Sequence, residues 1–304
     1  MILPLTILLP AAAGVTALFQ RNDRARRALL VAVALLHVAL VAAAWARPTP
    51  PALNGWLRLD AAGLLFLSIV SGLFAAAALH TVGALGRAGP STELRAGTDD
   101  DAGSSPEPER VFTACLLFFL GTMSLACASQ RFGLFWIAIE GTTLASAPLI
   151  YFHRSPRSLE AVWKYLIVCS VGIALALLGT FFLAVAATGP DGVALPLVAD
   201  ELTTRAARLD PVWLRAAFLC LLVGYGTKMG LAPLHTWLPD AHSEAPSAVS
   251  ALLSGALLNC AFLGILRALG VMDAAGQGAF ARNALLAFGL ASMAVAAAFI
   301  LLQT

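Results

Sequence analysis

Long apolar runs separated by short polar breaks dominate this chain. A helix needs about 20 mostly apolar residues to cross the hydrocarbon core of a bilayer. Nine stretches meet that rule, at about 2–19, 28–46, 60–84, 111–129, 131–151, 159–187, 212–231, 247–269 and 281–303. The pattern therefore predicts an all-α, polytopic membrane helix bundle. Residues 1–87 form a three-helix N-terminal segment. Residues 88–110 contain GTDDDAGSSPEPER, which is acidic and rich in Gly, Ser and Pro, and read as a flexible aqueous loop. The fourth and fifth runs follow each other almost directly, which predicts a tight hairpin. A polar connection at about 188–211 precedes the seventh run.

That seventh run does not end cleanly. It passes into GTKMGLAPLHTWLPDAHSEAPS, from Gly226 to Ser247, and carries on to about 242. Gly230, Pro233 and Pro239 predict an interrupted helix. Broken backbone at membrane depth survives only when it is buried in protein or lines a cavity. Lys228, His235, Asp240, His242 and Glu244 lie in the same stretch. Ionisable side chains at that depth are rare, and they mark ion or proton paths.

Composition agrees with the hydropathy pattern. The chain is 60% hydrophobic and 12% charged, with a formal net charge of +2. Nothing in that balance points to nucleic acid. Cys115, Cys127, Cys169, Cys220 and Cys260 all lie in apolar runs without a CxxC pair, and read as small core residues. No basic region precedes the first run, so it reads as a membrane helix and not as a cleaved leader. The arginines divide almost evenly between the two sides. The first loop, with Arg21, Arg24, Arg26 and Arg27, argues for an outside N-terminus in a plasma (inner) membrane. At the other end an apolar helix stops at Gln303 and Thr304, which reads as a chain cut short.

Glu140 has no other charge between Arg131 and Arg154. It lies about nine residues, roughly 13 Å of helix, from either end of its run. It reads either as a proton-handling carboxylate or as half of a structural ion pair. Lys164 has Glu160 four residues before it, the favourable orientation for a pair on one face. It reads as a proton carrier or as a snorkelling lysine. Lys228 sits beside the expected break, where water can reach it, and has no evident partner on its own helix. A lysine whose partner can be moved or protonated is a switchable proton store. His235 and His242 are seven apart and share a face if the segment stays helical. They suit proton transfer better than zinc, because no third ligand has metal spacing. Ser254 and Asn259 read as interhelical hydrogen-bonding residues. His37, His80 and His153 read as interfacial. No phosphate loop, dinucleotide fingerprint, iron–sulfur or haem motif is present, so the reading includes no cofactor, no metal and no redox chemistry on this chain.

The stretch KMGLAPLHTWLPDAHSEAPS, followed by ALLSGALLNCAFLGILR, resembles the antiporter-like membrane subunits of respiratory complex I and their relatives. Those relatives occur in multisubunit sodium/proton antiporters and membrane-bound group 4 hydrogenases. LFWIAIEGTTLASAPLIYFHRSPRSLEAVWKYL is similar to hydrogenase-4 component F-type subunits. The resemblance implies about fourteen helices with two inverted five-helix repeats, each holding a broken helix. Residues 111–270 would be the first repeat and 271–304 the start of the second. It also implies that Glu140, Lys164, Lys228, His235 and His242 match the family's proton-transfer positions. Implied partners are other membrane subunits of one complex, soluble redox subunits at a distance, and lipid. The function it implies is redox-driven proton translocation. The alternatives are a structural membrane anchor and a sodium/proton antiporter subunit.

Overall fold

A computed structural model of the chain describes residues 2–87, 107–189 and 192–301. The expected aqueous loop therefore lies almost wholly outside the described residues. Among them, nine helical segments are long and apolar enough to span a membrane, and only isolated β-bridges are found beside the helices. The protein is an all-α, multi-pass membrane bundle.

The helices are α1 (Ile2–Phe19), α2 (Asp23–Ala46), α3 (Ala61–Arg87), α4 (Glu107–Ala128), α5 (Phe132–Ile150) and α6 (Pro156–Ala186). A short α7 (Ala199–Thr204) precedes α8 (Pro211–Met229) and α9 (Trp237–Glu244). The chain continues through α10 (Ser247–Leu252), α11 (Leu258–Ala274) and α12 (Gly278–Leu301). Several helices begin before their apolar runs do. Asn22 accepts hydrogen bonds from the backbone N–H groups of Arg24 and Ala25, so α2 starts inside the basic patch. Ser155 caps α6 with Pro156 in its first turn, and Asp210 caps α8 with Pro211 likewise. Each cap satisfies orphan N–H donors that apolar character alone does not reveal.

α1 packs on α2 and α4, α4 on α5, α5 on α6, and α8 on α6 and α11. The α6–α8 contact is a close one, because it is made through glycines. A Cβ at Gly224 would meet Gly172 O and Ala176 N at 2.6 Å, and one at Gly179 would meet Leu221 N at 2.9 Å. Without hydrophobic drive between helices in lipid, this close approach supplies the dispersion contact that holds them. α12 is apolar and mostly exposed, with only Gly278 and Ala281 buried.

Three placements correct the sequence reading. His37 is not interfacial. It is fully buried between α1, α2, α3 and α4, with Nδ1 2.9 Å from Ser71 Oγ and Nε2 3.0 Å from Ser124 Oγ. Ser254 and Asn259 bond within their own helix, to Ser250 O (3.1 Å) and Gly255 O (2.6 Å). Ser254 lies within a π-turn at Leu253–Leu257 and Asn259 just after it, where the wider ring frees carbonyls close to home. Arg267, overlooked in the sequence, is buried at the end of α4. It donates to Cys127 O at 2.7 Å, to Ala126 O, to Ser129 O, and to Asp60 Oδ1 at 3.1 Å.

Candidate functional site

α8 stops because of its sequence. Gly230 takes φ 80°, a left-handed conformation that glycine adopts without a Cβ clash. Its N–H and that of Leu231 then fold back on Gly226 O and Thr227 O, closing the helix end. Helix resumes only at Trp237, after the Ala232–Pro233 segment. The orphan groups across this gap are met from outside it. Ser292 Oγ on α12 accepts from Ala232 N at 3.1 Å, and Trp237 Nε1 donates to Thr227 O at 2.9 Å. Pro239, read as a third break residue, lies inside α9. It occupies the first turn, where a missing N–H costs nothing because no intrahelical acceptor is available.

Lys228 is in the last turn of α8, at the negative end of that helix, where a cation is favoured. The sequence places water beside it. In the structure it is 0% exposed, with the equally buried Trp237 and Tyr165 packed together at 5.0 Å between ring centres over the same pocket. An ammonium has three N–H donors and needs acceptors for them. Lys228 Nζ donates to Tyr165 Oη at 2.6 Å and to Thr143 Oγ1 at 2.9 Å, and the Cys169 thiol faces it as a third neighbour. Tyr165 is fixed in turn by Ser146 Oγ at 2.6 Å. Ser146 already donates to Thr142 O at 2.7 Å, so the phenol O–H donates to Ser146 and its oxygen is left to accept from the lysine.

Glu140 and Lys228 form no direct ion pair among the described residues. Thr143 stands between them. It accepts from Lys228 and lies 3.5 Å from Glu140 Oε2, at the limit of a hydrogen bond. Glu140 itself is half-buried. α6 brings Tyr165 and Cys169 against the same lysine.

The remaining predicted residues sit apart from this core. Lys164 is 48% exposed and bonds Glu160 at 2.7 Å and Asp240 at 2.9 Å, tying α6 to α9. His235 lies in the gap, not in a helix. Its Nδ1 is buried without a partner among the described residues, and its ring meets Phe299 at 6.4 Å between centres. His242 is on α9, with Nδ1 2.7 Å from Ser250 Oγ. The two histidines therefore do not share one helix face. Thr143, Ser146, Tyr165 and Ser292 were not singled out from sequence. Thr143 carries a usable signal, since it lies three residues after Glu140 and so on the same helix face.

A family model described as NADH:quinone oxidoreductase/Mrp antiporter, TM, matches residues 129–304. The chain belongs to this family. Among curated relatives, a hydrogenase-4 component F homolog from Methylacidiphilum infernorum is 44% identical over 194 residues, covering 64% of this chain and 41% of the relative. NADH-quinone oxidoreductase subunit N from Deinococcus radiodurans is 36% identical over 170 residues, covering 55% of this chain and 33% of the relative. The chain thus spans well under half the length of these family members. A solved chain from the membrane-bound sulfane sulfur reductase, an archaeal respiratory membrane complex, superposes with a TM-score of 0.77 at 17% identity. That match covers 94% of this chain and 56% of the other, and it shows the family fold.

Proposed function

We propose that this chain is a proton-translocating membrane module of a complex I-like or group 4 hydrogenase-like redox assembly. One observation carries the reading. Lys228 is a fully buried cation at the end of an interrupted helix, solvated by neutral hydroxyls and linked to Glu140 through one of them. Such an arrangement is expensive as plain architecture, because a buried charge without a direct counter-ion costs several kcal/mol. It suits a group that takes up and releases a proton. Redox chemistry would reside in other subunits, and Glu140, Lys164, His235 and His242 would share the path. Residues 111–270 would act as one repeat of the translocating fold. We further place the chain in a plasma membrane with its N-terminus outside, beside other membrane subunits of the same complex. The names of the relatives, a hydrogenase-4 component and an NADH-quinone oxidoreductase subunit, support that setting.

The test uses vesicles carrying the native assembly, with proton uptake normalised to turnover of the electron donor. Lys228→Met keeps much of the volume and removes the titratable amine. We expect pumping per turnover to fall tenfold or more while assembly survives. Lys228→Arg should fail similarly, because arginine holds its proton at accessible pH. Wild-type pumping per turnover in both variants would favour a structural anchor. Sodium uptake in place of proton uptake would favour the antiporter alternative.

A further inference from the structure

We infer that the Thr143 hydroxyl is the proton relay between Lys228 and Glu140, and that its rotation opens and closes the path. This rests on the proposed proton translocation and assigns a step within it to a residue that neither charge nor motif marks.

The geometry supplies a chain of three groups in the right order. Lys228 Nζ donates to Thr143 Oγ1 at 2.9 Å, so the threonine oxygen has one lone pair engaged. Its own proton is then free to point elsewhere, and two acceptors are on offer, both on α5. Glu140 Oε2 lies at 3.5 Å and the Ile139 carbonyl at 3.4 Å. Neither is a strong bond, since neutral O–H donors prefer about 2.7–2.8 Å. The hydroxyl therefore has two nearly balanced settings. Pointed at Ile139 O, it leaves Glu140 disconnected. Pointed at Glu140, with the carboxylate moved a few tenths of an ångström closer, it completes a continuous line.

Among the described residues no other group stands in for it. Tyr165 touches the same ammonium at 2.6 Å, but its proton is committed to Ser146, which passes on to the Thr142 carbonyl. That branch ends on backbone and cannot carry a proton further. Cys169 faces Lys228 from α6 and feels the field of Glu140, but among the described residues it makes no hydrogen bond to that carboxylate. Thr143 is fully buried, so bulk water is not at hand to bypass it.

The step balances without an outside reagent. One Nζ–H bond of the Lys228 ammonium breaks as an Oγ1–H bond forms on Thr143. At the same time the original Oγ1–H bond breaks as an Oε2–H bond forms on Glu140. A neutral amine, an intact hydroxyl and a neutral carboxylic acid result, and the reverse step restores the charged pair. Turning the hydroxyl to Ile139 then traps the proton on whichever side holds it.

The experiment compares Thr143→Val and Thr143→Ser in vesicles carrying the native assembly. Valine is nearly isosteric and has no hydroxyl, and serine restores the hydroxyl. Proton uptake per donor turnover is read together with infrared difference spectra taken on donor addition. The protonated Glu140 carboxyl is identified there as the C=O band lost in Glu140→Gln. We expect Thr143→Val to pump at least tenfold less and to lose that band, and Thr143→Ser to retain both near wild type. A Thr143→Val variant that keeps the band overturns the relay, even if pumping falls, because Glu140 then receives its proton by another route. Wild-type pumping in Thr143→Val, with Lys228→Met inactive, overturns the relay and leaves the translocation reading standing. Wild-type pumping in Lys228→Met overturns that reading first.

Discussion

At the scale of single residues, what matters most is how buried polar groups find partners without charge. His37 shows this away from the lysine. Ser124 donates its own O–H to Leu120 O at 2.8 Å, so its oxygen must accept from His37 Nε2–H, and Thr6 O lies 3.2 Å from the same nitrogen. The ring proton is therefore on Nε2, and Ser71 donates to Nδ1 at 2.9 Å. One neutral imidazole joins four helices. In His37→Phe the Ser71 hydroxyl loses this partner, and an unsatisfied buried donor costs about 1–3 kcal/mol. The melting temperature of the purified protein in detergent should drop by several degrees, and the double change His37→Phe, Ser71→Ala should recover part of the loss. Equal melting of wild type and His37→Phe would show that the knot is not structural. The sequence hid this residue because one histidine in an apolar run carries no face information. Its depth in the run was the overlooked hint, since an interfacial side chain belongs near an end.

At the scale of elements, helix number and order were legible because hydropathy over 20 residues is a strong signal. The break was legible too, since Gly230 and Pro233 each have a backbone reason to end a helix. Pro239 misled because a proline means opposite things inside a helix and in its first turn. The spacing between helices was not legible, and it is set by glycines. Gly224 lies one turn before Lys228 on α8, and a Cβ there would strike backbone atoms of α6 at 2.6 Å. Backbone cannot yield as a side-chain tip can. Overpacking of this kind typically costs about 1–3 kcal/mol, and it would move Lys228 away from Tyr165 and Thr143. Gly224→Ala should lower both the melting temperature and pumping per turnover. Gly72 on α3 is the control, with nothing within 4 Å of its added Cβ. There alanine should be neutral or slightly stabilising, by up to about 1 kcal/mol of helix propensity. If both alanines behave alike, the close α6–α8 approach is not what positions the lysine.

At the scale of the whole molecule, the N-terminal helices must be held against the body that carries the site, and apolar contact alone does not fix their register. Arg267 does so from the middle of α11. Its guanidinium takes up the carbonyls of Cys127 and Ser129 at the close of α4 and adds a second bond to Ala126 O, which the Ser129 N–H already reaches at 3.3 Å. It also reaches Asp60, which caps α3 through Gly63 N at 3.1 Å and receives Gln130 Nε2 at 3.0 Å. Three helices thus meet on one side chain. Sequence reading passed it over because an arginine near the end of an apolar run is ordinarily a snorkelling residue, and nothing local says that another helix terminus faces it. Removing it leaves the Cys127 and Ser129 carbonyls bare, at about 1–3 kcal/mol each. Two thiols provide the readout. Cys127 and Cys260 are free and fully buried, 3.9 Å apart between α4 and α11, and Cys127 lies on the stretch that Arg267 holds. In the wild-type protein both should resist a small maleimide, as followed by peptide mass spectrometry. In Arg267→Met both should label at least tenfold faster, because α4 and α11 part more often. Arg267→Lys should fall between, since one ammonium cannot span the carbonyls that the planar fork reaches together. Wild-type labelling and melting in Arg267→Met would mean that the bundle is held by its apolar faces alone, and that this buried charge has no part in fixing it.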